Sequence, residues 1–572
     1  MRVARLGALC LVIGIAGVLP AAAAGARGSQ PSTGTQENDA GEFVVSFTPG
    51  TEADALAAVA EAGGTVVDVN EAIGLALVET TAATFLADVR ATGAVTGAAS
   101  NHSVGTSLPG MPHRFAEERP NSEERASTGP ADDHSRRGRD SKVEPLADLQ
   151  WDMAAIGANA DGAWHRATGR RVQVGIIDTG VDASHPDLAP NFNATLSRNF
   201  TKDIPSVDGP CEVATCIDPA DVDDGGHGTH VAGIVAAARN GVGITGVAPD
   251  AELVNVRAGQ DSGYFFLYET VAALTYSGDA GLDVVNMSFY TDPWLFNCDS
   301  ADDYVSGAVT PAQLAEQAFT RQTVTAALEY AHAKGVTLVA AAGNGHTDYS
   351  LPTRFDATSP DFGAPAAPRT VTKDCLDLPS EGPHVIAVGS TGPSGTKSDF
   401  SNYGLGSVDL AAPGGWFRDG VGTPSFGTPG NMILSSYPLH VAIEEGLADA
   451  NGEPTDDFSI KSCDARGQNC GFYTYLQGTS MASPHVAGVA ALVIDAHGSH
   501  RRGNASLAPD TVRSILLSTA TDHACPAGGV EIYTDEGRPP EFNAVCAGTT
   551  ANNGLWGEGI VDATAAVDRR GR

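Results

Sequence analysis

Residues 486–494 read Val-Ala-Gly-Val-Ala-Ala-Leu-Val-Ile, a helix-forming run with no polar face. A helix that is apolar all round cannot lie on a surface. It must be packed on every side, so the chain has to build layers around it. Directly before it, Gly478-Thr479-Ser480 makes a turn that puts the Ser480 hydroxyl at a helix N-terminus. Unpaired N–H groups and the helix dipole favour negative charge there. A lone serine in that position is more often a cap than a nucleophile. Pro484 falls in the expected first turn, where its missing N–H costs little.

The layers can be read from the other apolar runs. Short strands are expected at residues 172–177, 253–256, 284–289, 336–342, 385–389 and 408–411, with helical stretches between most of them and a further helix at 507–520. Such alternation predicts an α/β fold with a mostly parallel sheet between two layers of helices. Asp178 and Asn344 each follow such a strand, and Gly225-Gly226-His227 opens a helix. Carboxyl ends of parallel strands are where open α/β proteins keep their sites. An imidazole at His227 can take a proton from Ser480 while Asp178 fixes its tautomer. Asn344 and the Ser480 N–H can stabilise an oxyanion. Taken singly, Asp178 reads as a turn carboxylate and His227 as a cap. Only the combination argues for chemistry.

That combination resembles a family. Asp178-Thr179-Gly180, the His-Gly-Thr-His-Val-Ala-Gly run from His227, Ala341-Ala342-Gly343-Asn344 and the Gly-Thr-Ser-Met-Ala-Ser-Pro-His run from Gly478 resemble the subtilisin-like serine peptidases, in family order, across roughly residues 148–570. The resemblance implies a three-layer fold, a secreted serine endopeptidase, and Asp178, His227 and Ser480 as triad, with Asn344 at the oxyanion. It implies substrate binding along Ser288, Phe289 and Tyr290, with Ala342 and Gly343 at the same cleft. Tyr290 stands where the family has Gly, so it either reshapes a pocket or packs on a neighbouring loop. Asp377 falls at the base of the first specificity pocket, where a carboxylate would attract Arg or Lys; a solvated loop residue beside Cys375 is the alternative. A structural Ca²⁺ is implied at Asp187, Asn240 and the carbonyls of Ala238, Val242 and Ile244, oxygen donors of the kind that ion takes. His230 and His485 read as structural. Two other functions stay open: a protease dedicated to one exported precursor, and a non-catalytic binding protein on the same fold.

The N-terminal part reads as export and inhibition. Residues 1–26 have the basic, apolar and small-residue order of a signal peptide. A β-α-β-β-α-β pattern over 42–105 predicts a ferredoxin-like α+β unit, similar to the inhibitor propeptides of the same family. It has strands near 42–47, 65–69, 75–79 and 94–100 and helices near 52–62 and 81–91. Residues 106–147 read as a charged, proline-bearing linker with the maturation site, and 148–572 as the catalytic domain. Removing the signal leaves eight cysteines, an even number that points to disulfides in an exported chain. Close spacing pairs Cys211 with Cys216, Cys463 with Cys470 and Cys525 with Cys546, leaving Cys298 for Cys375. A net charge of −35 disfavours nucleic acid. The expected partners are peptide or protein substrates and the chain's own propeptide, with a monomer and no membrane after signal cleavage.

Overall fold

The structure is a computed structural model, and it describes residues 41–101, 119, 144–362, 365–501 and 504–568. The expected signal peptide and most of the expected linker lie outside the described residues. The first unit consists of β1 (Gly41–Ser46), α1 (Glu52–Glu61), β2 (Thr65–Asn70), β3 (Leu75–Thr80), α2 (Phe85–Ala91) and β4 (Gly97–Ser100). Its sheet order is β2-β3-β1-β4, antiparallel throughout, which is the ferredoxin-like arrangement. The second helix begins at Phe85 rather than 81, and the last strand at Gly97 rather than 94. Pattern reading places element ends less well than elements, because ends are set by caps and partners.

The main unit has seven strands in the order β14-β13-β10-β8-β5-β7-β6. These are β5 (Gln173–Ile177), β6 (Arg198–Asn199), β7 (Glu252–Arg257), β8 (Val284–Met287), β10 (Thr337–Ala341), β13 (Ile386–Thr391) and β14 (Leu410–Pro413). Every pairing in this sheet is parallel. Strand β8 stops at Met287, two residues before the expected end, so Ser288 to Tyr290 continue beyond the ladder.

Helices cover both faces. After α3 (Trp151–Ala155), α4 (His227–Ala236) and α8 (Thr479–His497) lie on one side. Helices α5 (Leu267–Ala280) and α6 (Pro311–Ala333) lie on the other. Successive strand side chains alternate between the two cores, as a pleated strand requires. Val174 and Ile176 join the α4/α8 core, while Ile177, Val285 and Met287 join the α5/α6 core. All of α8 from Thr479 to Ile494 is buried, as its apolar circumference demands.

Pro484 is the sixth residue of α8, inside the helix rather than in its first turn. Its missing N–H would have bonded the carbonyl of Ser480. That carbonyl accepts instead from Ser288 Oγ at 3.0 Å. The proline therefore frees an acceptor that ties the end of β8 to the start of α8.

Two smaller three-stranded sheets were not anticipated. One joins β9 (Tyr304–Ser306) to β11 (Thr353–Asp356) and β12 (Arg369–Thr372), the last two lying in an insertion at 346–373. The other joins β15 (Ile433–Tyr437), β16 (Ser459–Cys463) and β17 (Cys470–Leu476), with α7 (Leu439–Glu444) after β15. Helices α9 (Pro509–Thr519) and α10 (Ala563–Asp568) follow α8. All four expected disulfides are present. No helix among the described residues is long and apolar enough to cross a membrane.

The small unit docks on the helix pair α5/α6. Val44, Leu75, Leu77 and Ala99 share a core with Val271, Phe319 and Val324. Asn101, just past β4, caps α5 from outside: its Oδ1 accepts from Tyr268 N at 2.9 Å and its Nδ2 donates to the Glu269 carboxylate at 3.2 Å. The same amide donates to Glu42 Oε2 at 3.3 Å, so it lies between two carboxylates.

Candidate active site

Parallel register brings Asp178, at the end of β5, to the first residue of α4. His227 Nδ1–H donates to Asp178 Oδ1 at 2.7 Å, and both side chains are fully buried. Thr179 N also donates to Asp178 Oδ1, at 2.8 Å. Burial raises the Asp178 carboxyl above its usual range, and the neighbouring imidazole opposes that rise. The fixed Nδ1–H leaves His227 Nε2 as the basic nitrogen.

The His227 turn is held by a residue the sequence reading overlooked. Asp223 is fully buried. Its Oδ1 accepts from Thr179 Oγ1 (2.9 Å) and Gly226 N (2.9 Å), and its Oδ2 from Thr229 N (2.9 Å). One carboxylate thus joins the β5 end to the α4 start. An Asp four residues before His227, beside two glycines, is the only sequence signal for it.

Helix α8 packs directly against α4 and carries Ser480 at its second position, 5% exposed. Asn344 follows β10, and its Oδ1 accepts from both the N and the Oγ1 of Thr479 at 2.9 Å. With its oxygen committed to Thr479, the amide can point N–H outward. Gly343 N donates to Thr479 Oγ1 at 3.0 Å, so the same threonine fixes both residues. Gly343 has φ +93°, and a Cβ there would come within 2.5 Å of Asn402 Nδ2. Asn402 Nδ2 donates to Ala342 O at 2.8 Å, bracing this wall from behind.

The remaining candidates separate by depth. Ser288 is buried and its hydroxyl contacts Ser480 O and Ser483 Oγ (2.9 Å), so its side chain serves the scaffold. Phe289 stacks on Phe265 with ring centres 4.0 Å apart. The Tyr290 hydroxyl donates to Asp361 Oδ2 in the insertion, which corresponds to the loop-packing expectation. Asp377 is not a solvated loop residue. It is 3% exposed, accepts from Tyr349 OH at 2.6 Å, and lies 3.7 Å from where a Cβ on Gly343 would stand. The Tyr349 hydroxyl and Asn402 amide therefore stand around the carboxylate that sequence placed at the pocket base, Asn402 Nδ2 donating to Tyr349 OH at 2.8 Å.

His230 and His485 stay off this constellation. His230 Nε2–H donates to Thr474 O at 3.1 Å, and burial pushes its pKa down to about 3. His485 lies between the Met481 carbonyl (2.8 Å) and Asp152 Oδ2 (3.0 Å).

Buried or clustered oxygen donors stand at two places outside the cleft. Asp187 Oδ1 accepts from Asn240 Nδ2 (3.1 Å) and its Oδ2 from Ile244 N (3.1 Å) and Tyr473 OH (2.8 Å). Burial pushes this carboxyl up to about 7. No described donor hydrogen-bonds the buried carbonyls of Ala238, Val242 or Ile244. Three uncommitted carbonyls and a carboxylate without a basic partner fit a hard cation, while Asn240 Oδ1 accepts from Val242 N at 2.9 Å. Elsewhere Asp203, Glu212, Asp218 and Asp261 bring oxygens within 4.8 Å of one another around the buried Arg257.

A three-layer parallel fold with a buried Asp–His pair opening one helix, packed against a second helix that carries a serine at its N-terminus, is the architecture of the subtilisin-type serine endopeptidases. Comparison with known proteins agrees. The subtilase family model matches residues 169–544, and the fervidolysin N-terminal prodomain model matches residues 25–101. The chain belongs to the subtilase family. It is 27% identical over 431 residues to the M-protease of Shouchella clausii, covering 75% of this chain and 72% of the relative. It is 28% identical over 388 residues to thermitase of Thermoactinomyces vulgaris, covering 68% of this chain and 92% of the relative. Among solved structures, the epidermin leader peptide processing serine protease of Staphylococcus aureus superposes with a TM-score of 0.57 at 20% identity, covering 93% of this chain and all of the other. That likeness concerns the fold.

Proposed function

We propose that the chain is the zymogen of an exported peptidase in which Ser480 attacks the substrate carbonyl to form an acyl-enzyme. His227 Nε2 takes the hydroxyl proton and returns it to the leaving amine. Asp178 holds the imidazole in the required tautomer and stabilises the imidazolium. The Asn344 side-chain N–H and the Ser480 backbone N–H meet the oxyanion, each such donor contributing roughly 3 kcal/mol. The observation that carries this reading is the buried 2.7 Å Asp178–His227 bond at the start of a helix packed on the one that bears Ser480. Four disulfides support an oxidising compartment. The domain limits proposed are a signal to residue 26, a prodomain at 42–105 and a cleaved linker at 106–147. A fluorophosphonate probe is expected to label the shortened protein recovered from the medium. Ser480→Ala should be unlabelled and keep its prodomain covalently attached. Labelling of that variant would overturn the assignment.

The same proposal includes a structural Ca²⁺ held by Asp187, Asn240 and the carbonyls of Ala238, Val242 and Ile244. Chelation is expected to lower Tm by about 5 °C or more, through loss of an ion that binds only the folded loop. Asp187→Asn should abolish the difference between calcium-loaded and chelated protein in the same melting experiment. An unchanged Tm on chelation of the wild type counts against the site.

A further inference from the structure

Arg119 is the one described residue between the prodomain and residue 144, and it is held by charge and ring contacts. Its Nη2 donates to Glu445 Oε2 at 2.9 Å and to Tyr437 OH at 3.0 Å. Tyr437 OH donates to the same Glu445 oxygen at 2.9 Å, closing a three-membered ring of hydrogen bonds. The guanidinium also stands over the Tyr437 ring, 5.4 Å from its centre. The Arg119 and Glu445 side chains are only 18% and 14% exposed.

We propose that Tyr437 and Glu445 form an arginine-accepting subsite of the substrate cleft, and that Arg119 fills it in the zymogen. The inference rests on the triad reading above and adds a selectivity to it. Tyr437 ends β15 with its ring against the His227 turn: a Cβ on Gly226 would come within 2.6 Å of that ring. The Arg119 side chain, bonded to Tyr437, therefore lies beside the turn that carries His227. Arg119 lies in the connection that must be severed for the prodomain to depart. Its departure strips a largely buried carboxylate and a phenol of their charged partner. An incoming arginine restores a charge-assisted bond and a ring contact together. Lysine restores less, because it lacks the planar fork. Glu445 and Tyr437 were not among the residues singled out from sequence. Asp377, which was, has its carboxylate bonded to the Tyr349 hydroxyl.

The test compares matured enzyme with Glu445→Gln on peptide pairs that differ only by arginine or norleucine at one position. That position is scanned across both sides of the scissile bond. At one position arginine is expected to raise kcat/KM about tenfold, and Glu445→Gln to bring that ratio near one. Tyr437→Phe keeps the ring and should give a partial loss, which keeps the inference testable if the glutamate variant folds poorly. Absence of any arginine gain, or a gain that survives both substitutions, overturns the subsite. Hydrolysis of the norleucine peptides reports on the triad separately: its loss in the wild type would overturn the triad reading instead.

Discussion

Asp178→Asn is expected to lower kcat about 10⁴-fold with KM little changed. The substitution is nearly isosteric, and with its amide nitrogen at the place of Oδ1, the atom that both His227 Nδ1 and Thr179 N address, it no longer accepts from the imidazole. What changes is the proton on His227. An amide N–H facing Nδ1 selects the imidazole tautomer that carries its proton on Nε2. That nitrogen can then no longer accept from Ser480. The scaffold should survive, because Asp223 independently ties the β5 end to the α4 start. Steady-state kinetics with a thermal melt beside them decides the matter. A variant within tenfold of wild type, at unchanged Tm, would remove Asp178 from the mechanism.

The second large effect concerns release of the prodomain. Glu269 is buried beneath Asn101 in the docked state, and burial, with Glu42 repelling across the interface, pushes its pKa up to about 8. In the separated catalytic unit the start of α5 is uncovered, and the ordinary carboxylate value applies. A group whose pKa is raised in the complex favours the complex when protonated. Its contribution is fully present below the free value and is lost as pH rises through the bound value. Inhibition by the isolated prodomain is therefore expected to weaken between about pH 5 and pH 8, by about a hundredfold in Kd. Glu269→Gln should hold Kd nearly constant over that range. Titration of the inhibition constant against pH is the measurement. A wild-type Kd that is flat from pH 5 to pH 8 rules out this role for Glu269.

Much of this architecture could be read from local pattern. A strand buried on both faces must be nearly all apolar, so β5, β7, β8 and β10 announce themselves, and so does a helix with no polar side. The small antiparallel unit was legible because its two-residue alternation and its helix periods are local properties. The sheets formed by β9, β11 and β12 and by β15, β16 and β17 were not. Those sheets depend on β9 pairing with β12 and β15 with β17 across long intervals of chain. Strand ends erred for a related reason: β8 stops at Met287 because no neighbour continues the ladder, not because the residues change character.

The candidate site divides in the same way. Asp178, His227, Asn344 and Ser480 stand inside distinctive local runs and could be named in advance. The groups that aim them could not. Asp223, Thr479 and Asn402 are ordinary polar residues whose importance comes from a partner far along the chain. Pro484 looked like a tolerated first-turn proline, and its place inside α8 became visible only with the bond from Ser288 to the Ser480 carbonyl.

By itself, then, the amino-acid sequence determined the layered α/β class, the family, the paired cysteines and the chemistry available at four positions. Each of those is written in the types and periods of neighbouring residues. The tertiary structure alone decided which carboxylates lie buried against partners. It takes Asp377 onto Tyr349, Tyr290 onto Asp361, Glu269 under Asn101 and Arg119 onto Glu445. Those pairings join residues from 28 to 326 positions apart. Sheet register and helix packing set such distances, and no local pattern encodes them.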